Sequence, residues 1–283
     1  MPLPNSAKEH IVNRPHLGLY HETALMARIG RIIVPGLPHH VTQRGTRRQR
    51  VFFEGADFAL YRDLLAERCA KAGVEVWCYC LMPNHAHLIL VPHSADALSR
   101  ALGETHRRYT AFINARARWT GHLFQGRFGS VVMDETHLIA AARYIALNPV
   151  RARLVARPRD WAWSSAGAHL KGRDDGLVSV KPLLDRVDCA LDLIGIEPDA
   201  ATLAELRRAE TTGRPLGSDD FIAALERRLR RSLQPKKRGP KRRNLAPAKR
   251  CRCLRGSIRQ LVRCPHNSII INSIACTRKN KEL

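Results

Sequence analysis

Two imidazoles stand two residues apart, His85 and His87, in the segment Pro83-Asn84-His85-Ala86-His87-Leu88-Ile89-Leu90. Side chains at i and i+2 of a strand share a face and lie about 7 Å apart at the backbone. The pair can therefore converge on one divalent ion, while Ala86 points into the opposite layer. Two surface histidines satisfied by water would have the same spacing, so the pair alone leaves both readings open. A second group raises its weight. Arg143-Tyr144-Ile145-Ala146-Leu147-Asn148-Pro149-Val150 closes a helix-forming stretch, and residues i and i+4 of a helix stack on one face. Tyr144 and Asn148 are such a pair, with His137 two turns earlier on nearly the same side. The Asn148 carboxamide offers a carbonyl oxygen to a metal. The Tyr144 phenol, one turn away, offers a nucleophile, although a half-buried helix aromatic would fit the same position.

Two histidines, an amide and a phenol suit phosphoryl transfer. A divalent metal polarises a phosphate oxygen and neutralises the charge that develops there. The phenol attacks phosphorus and becomes covalently linked. A free tyrosine has a pKa near 10, and a nearby cation favours its ionised form. The leaving group would be a 3′ hydroxyl, so the bond energy is kept and the reverse reaction can rejoin strands. The ligand set suits Mn2+ by softness and Mg2+ by abundance. Tyr61 and Tyr109 have Leu65 and Ile113 at i+4, and Tyr79 lies in an apolar strand. Core packing is expected of all three.

The elements that must position these groups follow from periodicity. His39–Arg44 reads as a short strand and 57–72 as a helix stopped by Gly73. Residues 74–82 and 85–91 read as two strands joined at Pro83-Asn84. A long helix is expected over 95–119, a strand over 128–133, and a third helix over 136–148, ended by Pro149. The order is β-α-β-β-α-β followed by a helix, the split βαβ of the α+β, ferredoxin-like fold. Its antiparallel sheet, with helices on one face, is expected to leave the other face free for a long ligand. Residues 200–234 read as two helices around Gly213-Arg-Pro-Leu-Gly217, with Ser218 or Asp219 as a cap. They are either an accessory hairpin or a helix-turn-helix reader.

Forty-eight lysines and arginines against 25 acids give the 283-residue chain a formal net charge of +23. Residues 227–283 carry 19 basic residues and one acid, leaving only +5 for residues 1–226. That balance favours a polyanionic partner, nucleic acid before an anionic membrane surface. No apolar run is long enough to span a bilayer, and the first 25 residues do not read as a secretory signal. Eight cysteines are too few for a disulfide scaffold, and Cys78 and Cys80 read as buried and reduced, so a cytoplasmic, nucleoid-associated location is expected. Residues 1–25 read as an N-terminal extension, 26–170 as the catalytic domain, 171–234 as a helical accessory region and 235–283 as a disordered basic tail. Cys251, Cys253, Cys264 and His266 are spaced too tightly within each pair for an ordinary zinc site.

These motifs together resemble the REP-associated tyrosine transposases, relatives of the HUH single-strand transposases. The resemblance rests on MPNHAHLIL (82–90), LFQGRF (123–128), RYIALNPVRARLV (143–155), HHVTQRG (39–45) and Trp161-Ala-Trp-Ser-Ser165. It covers about 26–170 and extends through Arg214-Pro-Leu-Gly-Ser218 to about 235. It implies a ferredoxin-like domain that cuts and joins single-stranded DNA near hairpins through a 5′-phosphotyrosine. His85 and His87 then match the metal-binding pair, Tyr144 the nucleophile and Asn148 a further ligand to Mg2+ or Mn2+. His39, His40, Arg44, Arg47, Arg48 and Arg50, with Gln125 and Arg127, are expected to contact the DNA backbone and hairpin base. The alternatives are a non-catalytic hairpin-binding regulator derived from a transposase, and a metal-dependent hydrolase, for which further ligand-bearing strands are missing. Monomer and dimer both stay open.

Overall fold

The structure is a computed structural model that describes residues 30–234. The expectations for residues 1–25 and 235–283, including the cysteines from Cys251 onward, lie outside the described residues. Strand β1 is His39–Arg44, β2 Val74–Met82, β3 His85–Pro92 and β4 Gly129–Val132. Helix α1 is Gly55–Ala72 and α2 is Ala97–Ala117, so the βαββαβ order stands. The sheet runs β2-β3-β1-β4 and every pairing is antiparallel. This is the ferredoxin-like arrangement. Gly73 ends α1 in the left-handed region at φ 69°, where a Cβ would be strained. The start of α1 is fixed by a capping box between Glu54 and Asp57, and Arg116 of α2 donates to the buried Asp57 carboxylate at 2.6 and 2.9 Å.

Alternation along the strands divides the sheet into two chemically different faces. Val41, Tyr79, Leu81, Leu88 and Leu90 point toward α1 and α2 and form one core with Phe58, Leu65, Leu98 and Tyr109. Cys78, Cys80, Ile89 and Val131 point the other way. That second face is covered, contrary to the expectation of a free ligand surface. Helix α3, Glu135–Ala146, lays Leu138, Ala142 and Ile145 on it. The chain continues through α4 (Asn148–Arg151), α5 (Ala166–Lys171), α6 (Lys181–Leu184) and α7 (Ala190–Ile194).

Helix α8, Ala200–Thr212, adds Leu206 and Ala209 to the same layer. Helix α9, Asp219–Leu229, is capped by Ser218, whose hydroxyl accepts from the Phe221 N–H, and packs Leu225 against Ile32, Val34 and Val132. Residues 171–234 are thus joined to the four-stranded sheet in one compact unit, and the two helices around Gly213 rest on it. Apolar burial, rather than ligand access, wins over most of this face. Only the end where β1 runs out and β3 begins is left to polar side chains.

Candidate functional site

Strand β3 brings His85 and His87 onto one face, as the i, i+2 spacing requires. The turn before it does more than reverse the chain. The His85 Nδ1 lies 2.5 Å from Asn84 Oδ1, so the imidazole donates there and presents Nε2 outward. That Nε2 is 3.5 Å from the Asn148 amide nitrogen. Turning the amide over would present its carbonyl to the same point. His85 and Asn148 are therefore neighbours, although 63 positions separate them.

His87 faces a different set. Its Nδ1 is 3.0 Å from Nε2 of His40, and Oε1 of Glu210 is 3.8 Å from both nitrogens. These three residues form a group able to hold a metal ion. The register Thr42↔His87 and His40↔Ile89 places His40 diagonally across from His87 on the same face. Burial lowers the His40 pKa to about 4. Burial, helped by Arg44, does the same to His85, also to about 4. His87 is pushed well below its ordinary value by burial and then by His85 and His40. All three imidazoles are thus neutral near pH 7, the form in which histidine ligates metals. Burial raises the Glu210 carboxyl to about 7 against the opposing pull of Arg44, Arg207 and Arg151. Its Oε1 has no hydrogen-bond partner among the described residues.

Tyr144 packs beside this group. Its ring meets His87 edge-on at 5.5 Å and His40 at 6.1 Å, with the Arg151 guanidinium 4.3 Å from its centroid on the face. Arg151 also donates to the Tyr144 carbonyl at 2.5 Å. The phenol is 7 % exposed. Burial, then Glu210, raises its pKa, while Arg151 and Arg207 work in the opposite direction. The expected continuous helix to Asn148 is corrected. Helix α3 ends at Ala146, and Asn148 opens α4 with Pro149 in its first turn, where the missing N–H costs nothing. Leu147 keeps right-handed helical angles, φ −85° and ψ −4°, so the local path stays helical between Tyr144 and Asn148. His137 is not part of the group: it binds Asp134 at 2.7 Å and lies 3.6 Å from Glu205.

A cleft of about 380 Å³ opens beside the histidines, lined by Arg31, Arg44, Arg48, Gln125, Arg127, His85, His87 and Glu210 among others. Of the residues expected to meet DNA, Arg44, Arg48, Gln125 and Arg127 line it. Arg47 and Arg50 are exposed on the same loop. Arg47 and Arg48 both have positive φ, 54° and 63°. Asn84 helps hold that turn by donating to the Arg48 carbonyl at 3.1 Å.

His39 and His40 sit elsewhere than expected. His39 is fully buried, with Nδ1 2.7 Å from the Leu37 carbonyl and Nε2 accepting from the Val34 N–H. His40 is 1 % exposed and engaged with His87. Both rings belong to the interior and neither reaches the cleft lining. Sequence reasoning misses Arg31 and Glu210 and sees in Asn84 only a turn residue. Glu210 left a single trace, a carboxylate four residues after Leu206 beside an apolar stripe. Neither Tyr144 nor Asn148 lines the cleft. Tyr61, Tyr79 and Tyr109 are buried in the core, as expected.

Residues 34–148 match the family model of IS200-like transposases. No curated protein matches it. Among solved structures, it is similar to a REP-associated tyrosine transposase bound to a REP hairpin, with 19 % identity over 54 % of this chain and 92 % of that one, at a TM-score of 0.46. It is also similar to a protein from Deinococcus radiodurans R1 assigned as a transposase, with 24 % identity over 42 % of this chain and 95 % of that one, at a TM-score of 0.31. No helix among the described residues is long and apolar enough to cross a membrane.

Proposed function

We propose that this chain cuts and rejoins single-stranded DNA beside hairpins, with Tyr144 as nucleophile. The observation that carries the reading is the packing of the Tyr144 ring against His87 at 5.5 Å, in the turn that leads to Asn148 beside His85. The Tyr144 oxygen attacks phosphorus and loses its proton as the O–P bond forms. The P–O3′ bond breaks, and the departing 3′ oxygen takes up a proton, so the exchange is balanced and reversible. Mg2+ or Mn2+ held by His85, His87 and Asn148 would polarise the scissile phosphate. Asn84 holds the His85 tautomer with Nε2 facing Asn148, and neutral imidazoles fit a divalent ion. Arg151 lies on the ring face and opposes the burial that keeps the phenol protonated. Arg44, Arg48 and Arg127 supply cationic contacts for the phosphate backbone, and Gln125 adds a polar one. The hairpin preference comes from the motif resemblance.

The test is incubation of the full chain with end-labelled single-stranded hairpin DNA and Mg2+ or Mn2+, read on a denaturing gel. A covalent protein–DNA band that vanishes in Tyr144→Phe is expected. An undiminished band in that variant assigns the nucleophile elsewhere. A second reading, a hairpin-binding regulator without chemistry, is favoured by the burial of Tyr144 away from the cleft lining. It predicts salt-sensitive hairpin binding and no adduct with either metal.

A further inference from the structure

One oxygen of the Glu210 carboxyl group, Oε1, meets no hydrogen-bond donor among the described residues, and the side chain is only 17 % exposed. Arg44, Arg151 and Arg207 are close enough to act on its charge, but none makes an ion pair with it among the described residues. The oxygen instead points between His40 Nε2 and His87 Nδ1, 3.8 Å from each. Those nitrogens are 3.0 Å apart and can share only one hydrogen between them. A buried acceptor aimed at two imidazoles without a donor is costly, and a cation removes the cost. The three separations also define a point about 2.1 Å from all three donor atoms, the bond length of Zn2+ to imidazole nitrogen and carboxylate oxygen.

We infer that His40, His87 and Glu210 form a site for a transition-metal dication of the Zn2+ class, with the carboxylate delivered by α8. Two imidazoles with one carboxylate select such an ion over Mg2+ or Ca2+. The ion takes His87 through Nδ1. His87 is thus common to this site and to the ion of the proposed reaction, whereas His40 and Glu210 belong to this site alone and His85 and Asn148 to the other. Glu210 lies outside the family segment 34–148, so the site ties the later helices to the catalytic sheet. The inference does not depend on strand cleavage: a chain that forms no tyrosine adduct would still bind the ion.

The experiment is titration of the untagged full chain with Zn2+, followed by calorimetry and by thermal unfolding. Residues 251–266 include three cysteines and a histidine that offer zinc another place. The reading is therefore the single molar equivalent that changes between variants. Wild type and the double variant His85→Ala/Asn148→Ala are expected to keep that equivalent and its thermal shift. Glu210→Gln and His40→Ala each remove a direct ligand and are expected to weaken it by at least about a hundredfold, since losing a residue that merely orients a ligand already costs up to that much. Overturning results are an equivalent that survives Glu210→Gln, or one that disappears in the His85/Asn148 double variant. A zinc-edge anomalous map of wild-type crystals checks placement without any variant. A peak bonded to Glu210 supports the site, and zinc absent from the three donors refutes it.

Discussion

The imidazoles of His40 and His87 are stacked, 5.2 Å between centroids and 25° between planes, and joined by a 3.0 Å hydrogen bond. One comes from β1 and the other from β3, so the contact exists only because of the strand register. It fixes which nitrogen of His87 faces inward. Replacing His40 with alanine leaves a buried Nδ1 without its partner. An unpaired buried polar atom costs about 1–3 kcal/mol, and His40→Ala should lose that much in metal-free chemical denaturation. A loss below about 0.5 kcal/mol would show that water takes over the bond.

Arginine side chains around the cleft should act additively on DNA affinity. Arg44, Arg48 and Arg127 come from a strand, a turn and a loop, and all line the same opening. For single-stranded DNA, removing one cation that neutralises a phosphate reduces the slope of log affinity against log salt by about 0.7. Single alanine variants at these positions should each show that reduction in fluorescence anisotropy with labelled hairpin DNA. A variant with unchanged slope removes its arginine from the interface. His39→Asn should destabilise the fold while leaving the slope unchanged, because the ring is buried and bonded to its own loop.

Much of the fold could be read from periodicity, because its elements bury simple stripes. The strand at 74–82 and the stop at Gly73 fall where apolar run and turn residue place them. The helix break at Leu147 was hidden, since Pro149 can end one helix or begin the next. His85 with His87, and Tyr144 with Asn148, can be picked out as candidate pairs because each pair is local, at i+2 or i+4. His40 was misassigned to DNA because nothing in a single strand reveals its cross-strand register. His39 was misassigned because alternation says that neighbours face opposite ways, without saying that both faces are covered. Glu210 joins the group through tertiary packing of α8, which no local pattern encodes. The arginines of the 44–50 segment were visible as charge, but the left-handed turn that separates Arg48 from Arg47 was not.

The Asp57–Arg116 pair should make stability depend on acid. Burial alone would raise the Asp57 carboxyl, but the Arg116 guanidinium and the N–H groups of Phe53 and Glu54 outweigh it and hold its pKa below the ordinary value. The folded state thus binds this proton less readily than the unfolded chain does. The resulting stability is present above the ordinary carboxylate pKa of about 4 and disappears as pH falls through the lowered folded value. Asp57→Asn should cost about 3 kcal/mol at pH 7. The gap between wild type and variant in denaturant unfolding should narrow below about pH 4. A gap that stays constant from pH 7 to pH 3 would mean that Asp57 contributes packing rather than charge.

Gly45 links the end of β1 to the arginine turn, and its lack of a side chain is what lets the turn close. A Cβ there would collide with the Gln49 carbonyl oxygen and lie 2.8 Å from Val51 Cγ1. The first obstacle is backbone, which cannot rotate away. The Gly45 N–H also donates to the Asn84 carbonyl at 2.9 Å, and its carbonyl accepts from Arg48 at 3.0 Å. Gly45→Ala should therefore open the turn, displace Arg48 and loosen Asn84, the residue that orients His85. Overpacking of this kind costs about 1–3 kcal/mol, and hairpin affinity should fall further than in Arg48→Ala alone. Gly103 provides the contrast. It is exposed within α2 and a Cβ would meet nothing within 4 Å, so Gly103→Ala should stabilise the protein by about 0.5–1 kcal/mol and leave DNA binding unchanged. If Gly45→Ala binds hairpin DNA as tightly as Gly103→Ala, the turn does not position the arginines for the nucleic acid.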